Sequence, residues 1–498
     1  MNAPSESLRN RMRSMPSIAV FRSPKALSVE VLAGVITTLA LIPEVISFSV
    51  IAGVKPEVSL IASVILAITM SFLGGRPAMV TAAAGSVALV VAPLVKSHGV
   101  EYLLPAVILA GLVQIVFGVS GLARLMQFIP RSVMIGFVNA LAILIFMAQI
   151  QHLVGVPWLV YPLFVLTILI VVVLPRLTRA VPAALVAIVV VTAIVIVTGM
   201  SVPSVGDDGS MSGVLPGLTP FLAPINLETL QIVWPTAVCI AFVGLLESLL
   251  TAKVVDDLTG TGSSKSRESW ALGVANLFAG FFGGIAGCAM IGQTIVNVKI
   301  GRARTRISTL VAGATLLLLV TTLSGVMARI PMVALAAVMM IVAITTMNWG
   351  SVNPMLLKRM PLSETIVMVV TVAVVVATGN LAVGVAAGVV LALALFARRV
   401  AHHLRVDRAL DAAGSSVRYN VHGPLFFGSS NTLIDRFAFA QDPKSVVIDM
   451  THAQIWDAST VWVLDAIELK YRAQGAAIVL EGLDERSHTF RSRISGHL

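Results

Sequence analysis

Charged residues are scarce in this chain of 498 residues. Lys, Arg, Asp and Glu make up only 12% of it, whereas a soluble globular protein carries about 25% charged residues. This composition excludes an ordinary soluble protein. With 57% hydrophobic residues and a mean hydropathy of +0.96, the chain has the composition of an integral membrane protein.

Cysteine is rare, and the common catalytic motifs are missing. The two cysteines, Cys239 and Cys288, lie inside apolar stretches, so no disulfide framework is expected. The sequence has no HExxH, P-loop, GxSxG or CxxC motif. We therefore expect a protein that is not an enzyme and carries no cofactor or resident metal.

Long apolar blocks take up most of the chain. Blocks of about 20 residues, enough to cross a bilayer as helices, recur between residues 27 and 400. Strand-like alternation with aromatic girdles is absent there, which argues against an outer-membrane barrel. We count about fourteen segments in two sets of seven, residues 29–199 and 231–400. An odd number in each set predicts an inverted repeat, because the second set enters the membrane the other way round.

The net charge of +10 follows membrane topology and does not indicate nucleic-acid binding. Lys and Arg gather at one end of the predicted spans. The longest loop at the other end, residues 200–228, has Asp207 and Asp208 but neither Lys nor Arg. This positive-inside pattern predicts a multi-pass protein of the cell (inner) membrane. It places a basic N-terminal arm, residues 1–28, and the C-terminus in the cytoplasm.

The sequence changes in character after about Asp411. Short apolar runs at 417–421, 445–450 and 476–480 alternate with amphipathic stretches at 432–439 and 459–473. Residues 411–498 are therefore predicted to form a small soluble α/β domain after a transmembrane domain of residues 29–401. A basic cluster before it is interpreted as an anchor at anionic lipid headgroups: Arg398, Arg399, His402, His403, Arg405 and Arg408.

Two glycine-rich stretches interrupt the apolar pattern at matching places in the two halves. Residues 74–93 read GGRPAMVTAAAGSVALVVAP, and residues 283–299 read GGIAGCAMIGQTIVNVK. Paired interruptions of this kind are the best sequence pointer to a transporter's binding site. We predict two half-helices whose N-termini face one site, where free N–H groups can hold a small anion. The predicted lining residues are Ala84, Gly85, Ser86, Ile291, Gly292, Gln293 and Thr294.

Glu44 is a carboxylate in the middle of the first predicted span. A charge at mid-bilayer costs about 2.5–3.5 kcal/mol, so an ionisable residue there indicates a function. Pro43 removes a helix hydrogen bond just before it, and we expect the helix to be kinked or broken there. Glu44 is predicted to take up and release a proton. Phe48, one turn later, either faces the same cavity or packs against a neighbouring helix.

Glu247 lies near the middle of the eighth span. Ser248 follows it, and Thr251 shares its helical face. A carboxylate, hydroxyls and backbone carbonyls are the hard ligands that sodium needs. The sequence predicts a cation site here, and protonation of Glu247 is the competing interpretation.

These segments resemble the sulfate permease family of anion transporters, which includes the mammalian solute carrier family 26. LALIPEVISFSVIAGV resembles the family's first span, GGRPAMVTAAAGSVA its third, and LLESLLTA and GGIAGCAMIGQTIVNVK its eighth and tenth. DMTHAQIWDASTVWVLD resembles the core of a STAS domain. The resemblance covers nearly the whole chain. It implies a homodimer in which a core of spans 1–4 and 8–11 moves against a gate of spans 5–7 and 12–14.

The resemblance also assigns roles to residues of this sequence. It implies an anion site between spans three and ten, lined by Glu44, Phe48, Ala84, Ser86, Gly292 and Gln293. Glu247 and Thr251 match the cation site of sodium-driven bicarbonate transporters, where Asp stands in place of Glu247. Gln293 stands where some animal members have Arg, which favours cation symport over anion exchange. Ser459 matches the phosphorylated serine of stand-alone STAS proteins. Its neighbours differ from the usual ones, so we expect it to cap the next helix.

The predicted function is secondary active transport of a small anion: bicarbonate, sulfate or a dicarboxylate such as fumarate. Proton or sodium symport, with rocking or elevator-type alternating access, is the expected mechanism. A nucleobase:proton symporter has the same seven-plus-seven design, but it uses carboxylates on both the eighth and tenth spans. An uncoupled anion channel or exchanger is the other alternative. The C-terminal domain is expected to serve assembly or regulation, and a cytosolic protein is its expected partner.

Overall fold

A computed structural model describes residues 20–21, 23–123, 128–178, 182–209, 217–220, 223–224 and 226–495. Most of the predicted N-terminal arm and part of the predicted loop at 200–228 lie outside these residues. The chain forms two compact units, Met1–Gly388 and Val389–Leu498.

The first unit is helical and repeats one order of elements. The first set consists of α1 (Pro24–Ala52), α2 (Pro56–Leu73), β1 (Thr81–Ala83), α3 (Gly85–His98), α4 (Leu103–Val119), α5 (Arg131–Gln149), α6 (Val160–Leu177) and α7 (Ala183–Thr198). The second set consists of α8 (Leu227–Thr259), α9 (Lys265–Phe281), β2 (Gly287–Ala289), α10 (Ile291–Ile295), α11 (Arg306–Met327), α12 (Met332–Thr346), α13 (Leu362–Thr378) and α14 (Leu381–Ala401). The last of these helices, α14, continues past Gly388 into the second unit. A short helical turn, Pro354–Leu357, precedes α13.

These helices overlap the two predicted sets of segments, although α1 and α8 begin before residues 29 and 231. Among the described residues, eight helices are long and apolar enough to cross a membrane, and α3, α7, α12 and α13 are apolar but shorter. The expected break at Pro43 is wrong, because α1 is one continuous helix of 29 residues that includes Pro43. Proline is tolerated within membrane helices where neighbouring groups satisfy the freed backbone.

The helices pack in two groups that each draw on both halves of the chain. In the core group, α4 packs against α9, and α11 packs against α1 and α2. In the gate group, α5 packs against α12 and α13, and α6 packs against α7 and α12. Small residues allow α4 and α9 to approach each other closely where they cross. A Cβ on Gly111 of α4 would lie 2.7 Å from the carbonyl oxygen of Gly273 of α9, and the reverse distance would be 2.5 Å.

A two-stranded ribbon lies within the core group. β1 and β2 pair antiparallel, with Ala82 opposite Cys288, and all six strand residues are buried. Three side chains satisfy backbone groups that the ribbon leaves free. Ser63 accepts a hydrogen bond from Ala83 N (3.1 Å), Ser248 accepts one from Ala289 N (3.0 Å), and Asn276 bonds both backbone groups of Gly287 (2.8 and 3.2 Å). Extended backbone at membrane depth requires such partners.

The second unit contains a four-stranded sheet in the order β3 (Arg405–Leu410), β4 (Ser416–Leu425), β5 (Ser445–Ile455) and β6 (Ala477–Glu481). β3 and β4 are antiparallel, and the other two pairs are parallel. Its helices are α15 (Phe427–Ile434), α16 (Ala458–Ala473) and α17 (Glu485–Ile494).

This second unit differs from the sequence prediction at two places. The sheet begins at Arg405, before the predicted start at Asp411, so the basic cluster is divided between the end of α14 and β3. Most β3 residues are exposed, and an edge strand of this kind lacks a clear apolar alternation. The helix predicted at 432–439 is also wrong in position, because α15 begins at Phe427. The Asp457 carboxylate accepts a hydrogen bond from Phe427 N (2.6 Å) and fixes this start.

Asp442 joins three elements of the second unit. Its buried carboxylate accepts hydrogen bonds from Tyr419 of β4 (2.6 Å), Tyr471 of α16 (2.5 Å) and Arg408 of β3 (2.8 Å). The bond to Asp442 raises the pKa of the Arg408 guanidinium. Burial, reinforced by Asp442, raises the pKa of both tyrosines.

We expect Asn276→Ala to destabilise the first unit. The substitution leaves the backbone N–H and C=O of Gly287 unpaired in a buried place, and each such group costs about 1–3 kcal/mol. Thermal unfolding of the purified protein in detergent should therefore show a clearly lower midpoint. Asn420→Ala on β4, where the side chain is half-buried, is the control. Equal midpoints for the two variants would contradict the prediction.

Candidate functional site

The two half-helices begin at opposite ends of the ribbon. α3 follows β1 after the single residue Ala84, and α10 follows β2 after Met290. The antiparallel pairing puts these two helix starts at opposite ends of the strands. Hydrogen bonds from Met290 N to Val80 O (2.9 Å) and from Val80 N to the Thr294 hydroxyl (3.0 Å) fix the start of α10 against the chain before β1.

The second half-helix is less regular than predicted. α10 has α-helical geometry for five residues and continues as a π-helix, Val296–Ile300. The wider turn brings Asn297 into the core. Its amide nitrogen donates to Ala78 O (2.9 Å) and to the Ser308 hydroxyl (3.0 Å). Segments of π-helix occur frequently at functional sites.

Glu44 of α1 meets the start of α10. It is half-buried within a buried stretch of the helix, and its carboxyl group is in hydrogen-bonding contact with the side chain of Gln293. Phe48, one turn later, packs against the first residue of α3. A Cβ on Gly85 would lie 2.6 Å from the Phe48 ring, so glycine is needed for this packing. The structure thus brings Glu44, Phe48, Gly85 and Gln293 together.

Open space lies next to Gly292. This residue is exposed, and a Cβ added there would meet no atom within 4 Å. Ile291 beside it is half-buried, whereas Gln293 and Thr294 are buried. The start of α10 therefore borders accessible space, while the start of α3 is covered by Phe48.

The Glu247 carboxylate connects α8, α3 and β2. Its Oε2 accepts hydrogen bonds from the Ser86 hydroxyl and from the Cys288 thiol, the latter at 3.1 Å. Cys288 also lies 3.7 Å from the Ser86 oxygen. Cys288 was not among the site residues predicted from the sequence. Its position in β2, just before the second half-helix, was the signal that could have found it.

The other two predicted cation ligands are on the same turn of α8 and are hydrogen-bonded to backbone. Ser248 accepts from Ala289 N (3.0 Å). Thr251 donates to the carbonyl of Glu247 (2.7 Å) and lies 3.3 Å from the carbonyl of Ala289. Among the described residues, no group of three or more His, Cys, Asp or Glu side chains could hold a metal ion.

The two ends of α8 differ in their contacts with the gate group. Toward its C-terminal end, a cavity of about 250 Å³ separates it from the start of α5. In its N-terminal half, the Cys239 thiol lies 3.8 Å from the side-chain nitrogen of Asn380, in the turn between α13 and α14.

Ser459 does not cap α16, so that expectation is wrong. Asp457 is the N-cap residue, and its carboxylate accepts a hydrogen bond from Thr460 N (3.1 Å). Ser459 is an exposed residue in the first turn of the helix. An Asp two positions earlier already provides the acceptor that the first turn requires.

Comparison with known proteins identifies the class of protein to which this chain belongs. The model of the sulfate permease family matches residues 27–160 and 156–371, and the model of the STAS domain matches residues 409–492. The putative sulfate transporter YbaR of Bacillus subtilis (strain 168) is 47% identical over 466 residues, which cover 94% of this chain and 96% of the relative. The bicarbonate transporter BicA of Synechocystis is 24% identical over 472 residues, covering 84% and 82%.

Two solved structures share the fold. Murine solute carrier 26 family member A9, an anion transporter in the inward-facing state, has a TM-score of 0.81 at 16% identity over 99% of this chain and 92% of that one. The transmembrane domain of a cyanobacterial BicA has a TM-score of 0.64 at 23% identity over 72% and 98%.

The fold and the matches define a multi-pass membrane transporter for anions, not an enzyme. The chain belongs to the sulfate permease family and ends in a STAS domain.

Proposed function

We propose that this protein is a secondary active transporter that moves a small anion together with a proton. The observation that carries the proposal is the contact between the half-buried Glu44 and Gln293, beside the open space at Gly292. Sulfate and bicarbonate are the first candidate substrates because relatives carry those names. A dicarboxylate such as fumarate remains a third candidate.

The proposed coupling follows from the charge of Glu44. An anion beside an ionised carboxylate is repelled, and at about 4 Å the repulsion is on the order of 4 kcal/mol at an intermediate dielectric. A proton on Glu44 removes that repulsion. Binding of the anion and binding of the proton therefore favour each other, and this linkage is reciprocal. Along with Glu44, the proposed anion site comprises Phe48, Ala84, Gly85, Ser86, Ile291, Gly292, Gln293 and Thr294.

Sodium at Glu247 is the second candidate for the coupling ion. The Thr251 hydroxyl lies 2.7 Å from the backbone carbonyl of Glu247 and 3.3 Å from that of Ala289, and these oxygens are the further ligands that such a site would use. Against sodium, Ser86 and the soft thiol of Cys288 already donate to the Glu247 carboxylate, and hard oxygen donors suit small cations better. We therefore place the proton on Glu44 and assign Glu247 to holding α3, α8 and β2 together.

Alternating access is proposed to arise from movement of the core group against the gate group. The cavity between α5 and α8 and the contact between Cys239 and Asn380 support a state that is open at one end and closed at the other. We further propose that both termini lie in the cytoplasm, on the basis of the positive-inside pattern. The inner membrane and a homodimer are proposed by analogy with the sulfate permease family.

The substrate and the coupling ion can be tested in proteoliposomes. Uptake of labelled sulfate, bicarbonate and fumarate should be measured with an imposed proton gradient, a sodium gradient or neither. We expect one of the three anions to accumulate with the proton gradient. If neither gradient raises the internal anion concentration above its equilibrium value, the protein is a channel or an exchanger. Accumulation driven by the sodium gradient would instead place the coupling site at Glu247.

Glu44→Gln should abolish proton-driven accumulation without abolishing anion binding. Glutamine keeps the size and the contact with Gln293 but cannot gain or lose a proton. With equal anion concentrations on both sides of the membrane, we expect exchange of the labelled anion to persist. Its rate should become independent of pH between about 5 and 8. Unchanged pH dependence in this variant would remove the coupling role of Glu44.

Gly292→Val should lower anion affinity at least tenfold while the protein stays folded. The space beside Gly292 accepts the side chain without a clash, but the valine then occupies the proposed anion position. Gly325→Val is the matched control, because Gly325 is a helical glycine of α11 whose Cβ would also meet nothing within 4 Å. Wild-type affinity in the Gly292 variant would place the anion elsewhere.

Crosslinking Cys239 to a cysteine at position 380 should stop transport reversibly. In Asn380→Cys, oxidation or a short bifunctional thiol reagent joins α8 to the turn between α13 and α14 and holds that end closed. We expect uptake to fall on oxidation and to recover on reduction. The control is Asn380→Cys with Cys239→Ser, which also loses the bonds from Asn380 to the start of α14. Full activity of the crosslinked protein would show that this contact does not open during transport.

A further inference from the structure

The cavity between α5 and α8 is a partly open cleft beside the proposed transport path, and the charged side chains of Lys253 and Asp257 at its rim are exposed. We name it the α8 vestibule. Its volume of about 250 Å³ is several times the roughly 30 Å³ that one water occupies in the liquid, so a hydrated small anion fits. It is lined by Ile129, Met134, Leu246, Leu249, Leu250, Lys253, Asp256, Asp257 and Lys265.

The vestibule leads along one face of α8 toward the candidate site. Leu246, Leu250, Lys253 and Asp257 are spaced by three or four residues and therefore share a helical face. Leu246 is the direct neighbour of Glu247. The lining is apolar at the end nearer to Glu247 and charged at the end of the helix.

The charges at this end leave an excess of positive charge in the vestibule. Arg76 pairs with Asp256 (3.0 Å), which also accepts a hydrogen bond from Ser263 (2.7 Å). The ion pairs among the described residues leave Lys253 and Lys265 without a carboxylate partner. With Asp256 neutralised, two lysines stand against the single charge of Asp257.

We propose that the α8 vestibule is a second anion-binding site, in which Lys253, assisted by Lys265, holds a small inorganic or carboxylate anion on its way to or from the central site. A flexible ammonium group serves as a point charge for such an anion, and a narrow cleft with apolar walls focuses its field. The inference rests on the proposed anion transport and on the cytoplasmic position of this end of α8.

A first experiment tests the binding site without relying on transport. Leu250→Cys is made with Cys239→Ser, and the rates of modification by an anionic and a cationic methanethiosulfonate reagent are compared with their rates on a free thiol. Leu250 is half-buried and lines the vestibule. We expect a normalised preference for the anionic reagent of about threefold to tenfold, the effect of one nearby charge in a solvated cleft with a water-like dielectric. Added sulfate, at constant ionic strength, should slow modification of the introduced cysteine by the anionic reagent.

Adding Lys253→Gln to this background should remove both the preference and the protection by sulfate. Lys358→Gln is the matched control, because Lys358 is an exposed lysine outside the vestibule. It should leave both effects intact. A preference that survives Lys253→Gln, or one that sulfate does not compete with, would overturn the proposal.

A second experiment measures the anion affinity separately from each side in oriented proteoliposomes. Lys253→Gln in the natural sequence should raise the apparent KM for sulfate, or for the anion that the uptake panel selects, about threefold or more from the cytoplasmic side only. An equal effect from both sides, or none, contradicts the vestibule site. Failure of the wild-type protein to transport any anion contradicts the proposed function, and the modification rates still decide on the vestibule.

Discussion

The structure of the first unit depends on pairing extended backbone in a place without water. Half-helices at membrane depth require non-helical approaches, and every N–H and C=O group of those approaches needs a partner. β1 and β2 pair with each other. Ser63, Ser248 and Asn276 satisfy further backbone groups of the ribbon. The small residues of the two glycine-rich stretches follow from this requirement, since a Cβ on Gly287 would lie 2.2 Å from the carbonyl oxygen of Ala82.

Much of this arrangement could be predicted from the sequence because its signals are local. Apolar runs located the helices of the first unit, and paired glycine-rich stretches located both half-helices. The signals failed where tertiary partners decide the outcome. α1 continues through Pro43, the turn after Ile295 is a π-helix in which Asn297 is hydrogen-bonded to Ala78, and β3 is an exposed edge strand without an apolar pattern.

The candidate site shows the same division. Glu44 and Glu247 could be selected from the sequence because a charge in an apolar span is costly. The contacts of these carboxylates could not. Glu44 meets Gln293, and Glu247 meets Ser86 and Cys288, across sequence separations of more than 40 residues. These contacts show that Glu44 borders open space, whereas Glu247 joins three elements. The proposed roles, proton coupling for Glu44 and a structural role for Glu247, rest on this difference.

The ribbon has one more consequence, for how this protein discriminates between anions. Since β1 and β2 are hydrogen-bonded to each other, the starts of α3 and α10 keep a constant separation as long as the ribbon stays intact. Under the proposed alternating access, the spacing between these two helix starts is the same whichever way the protein faces. Exclusion of oversized solutes is expected to be the same in both directions, and any directional difference in affinity must come from residues outside the ribbon.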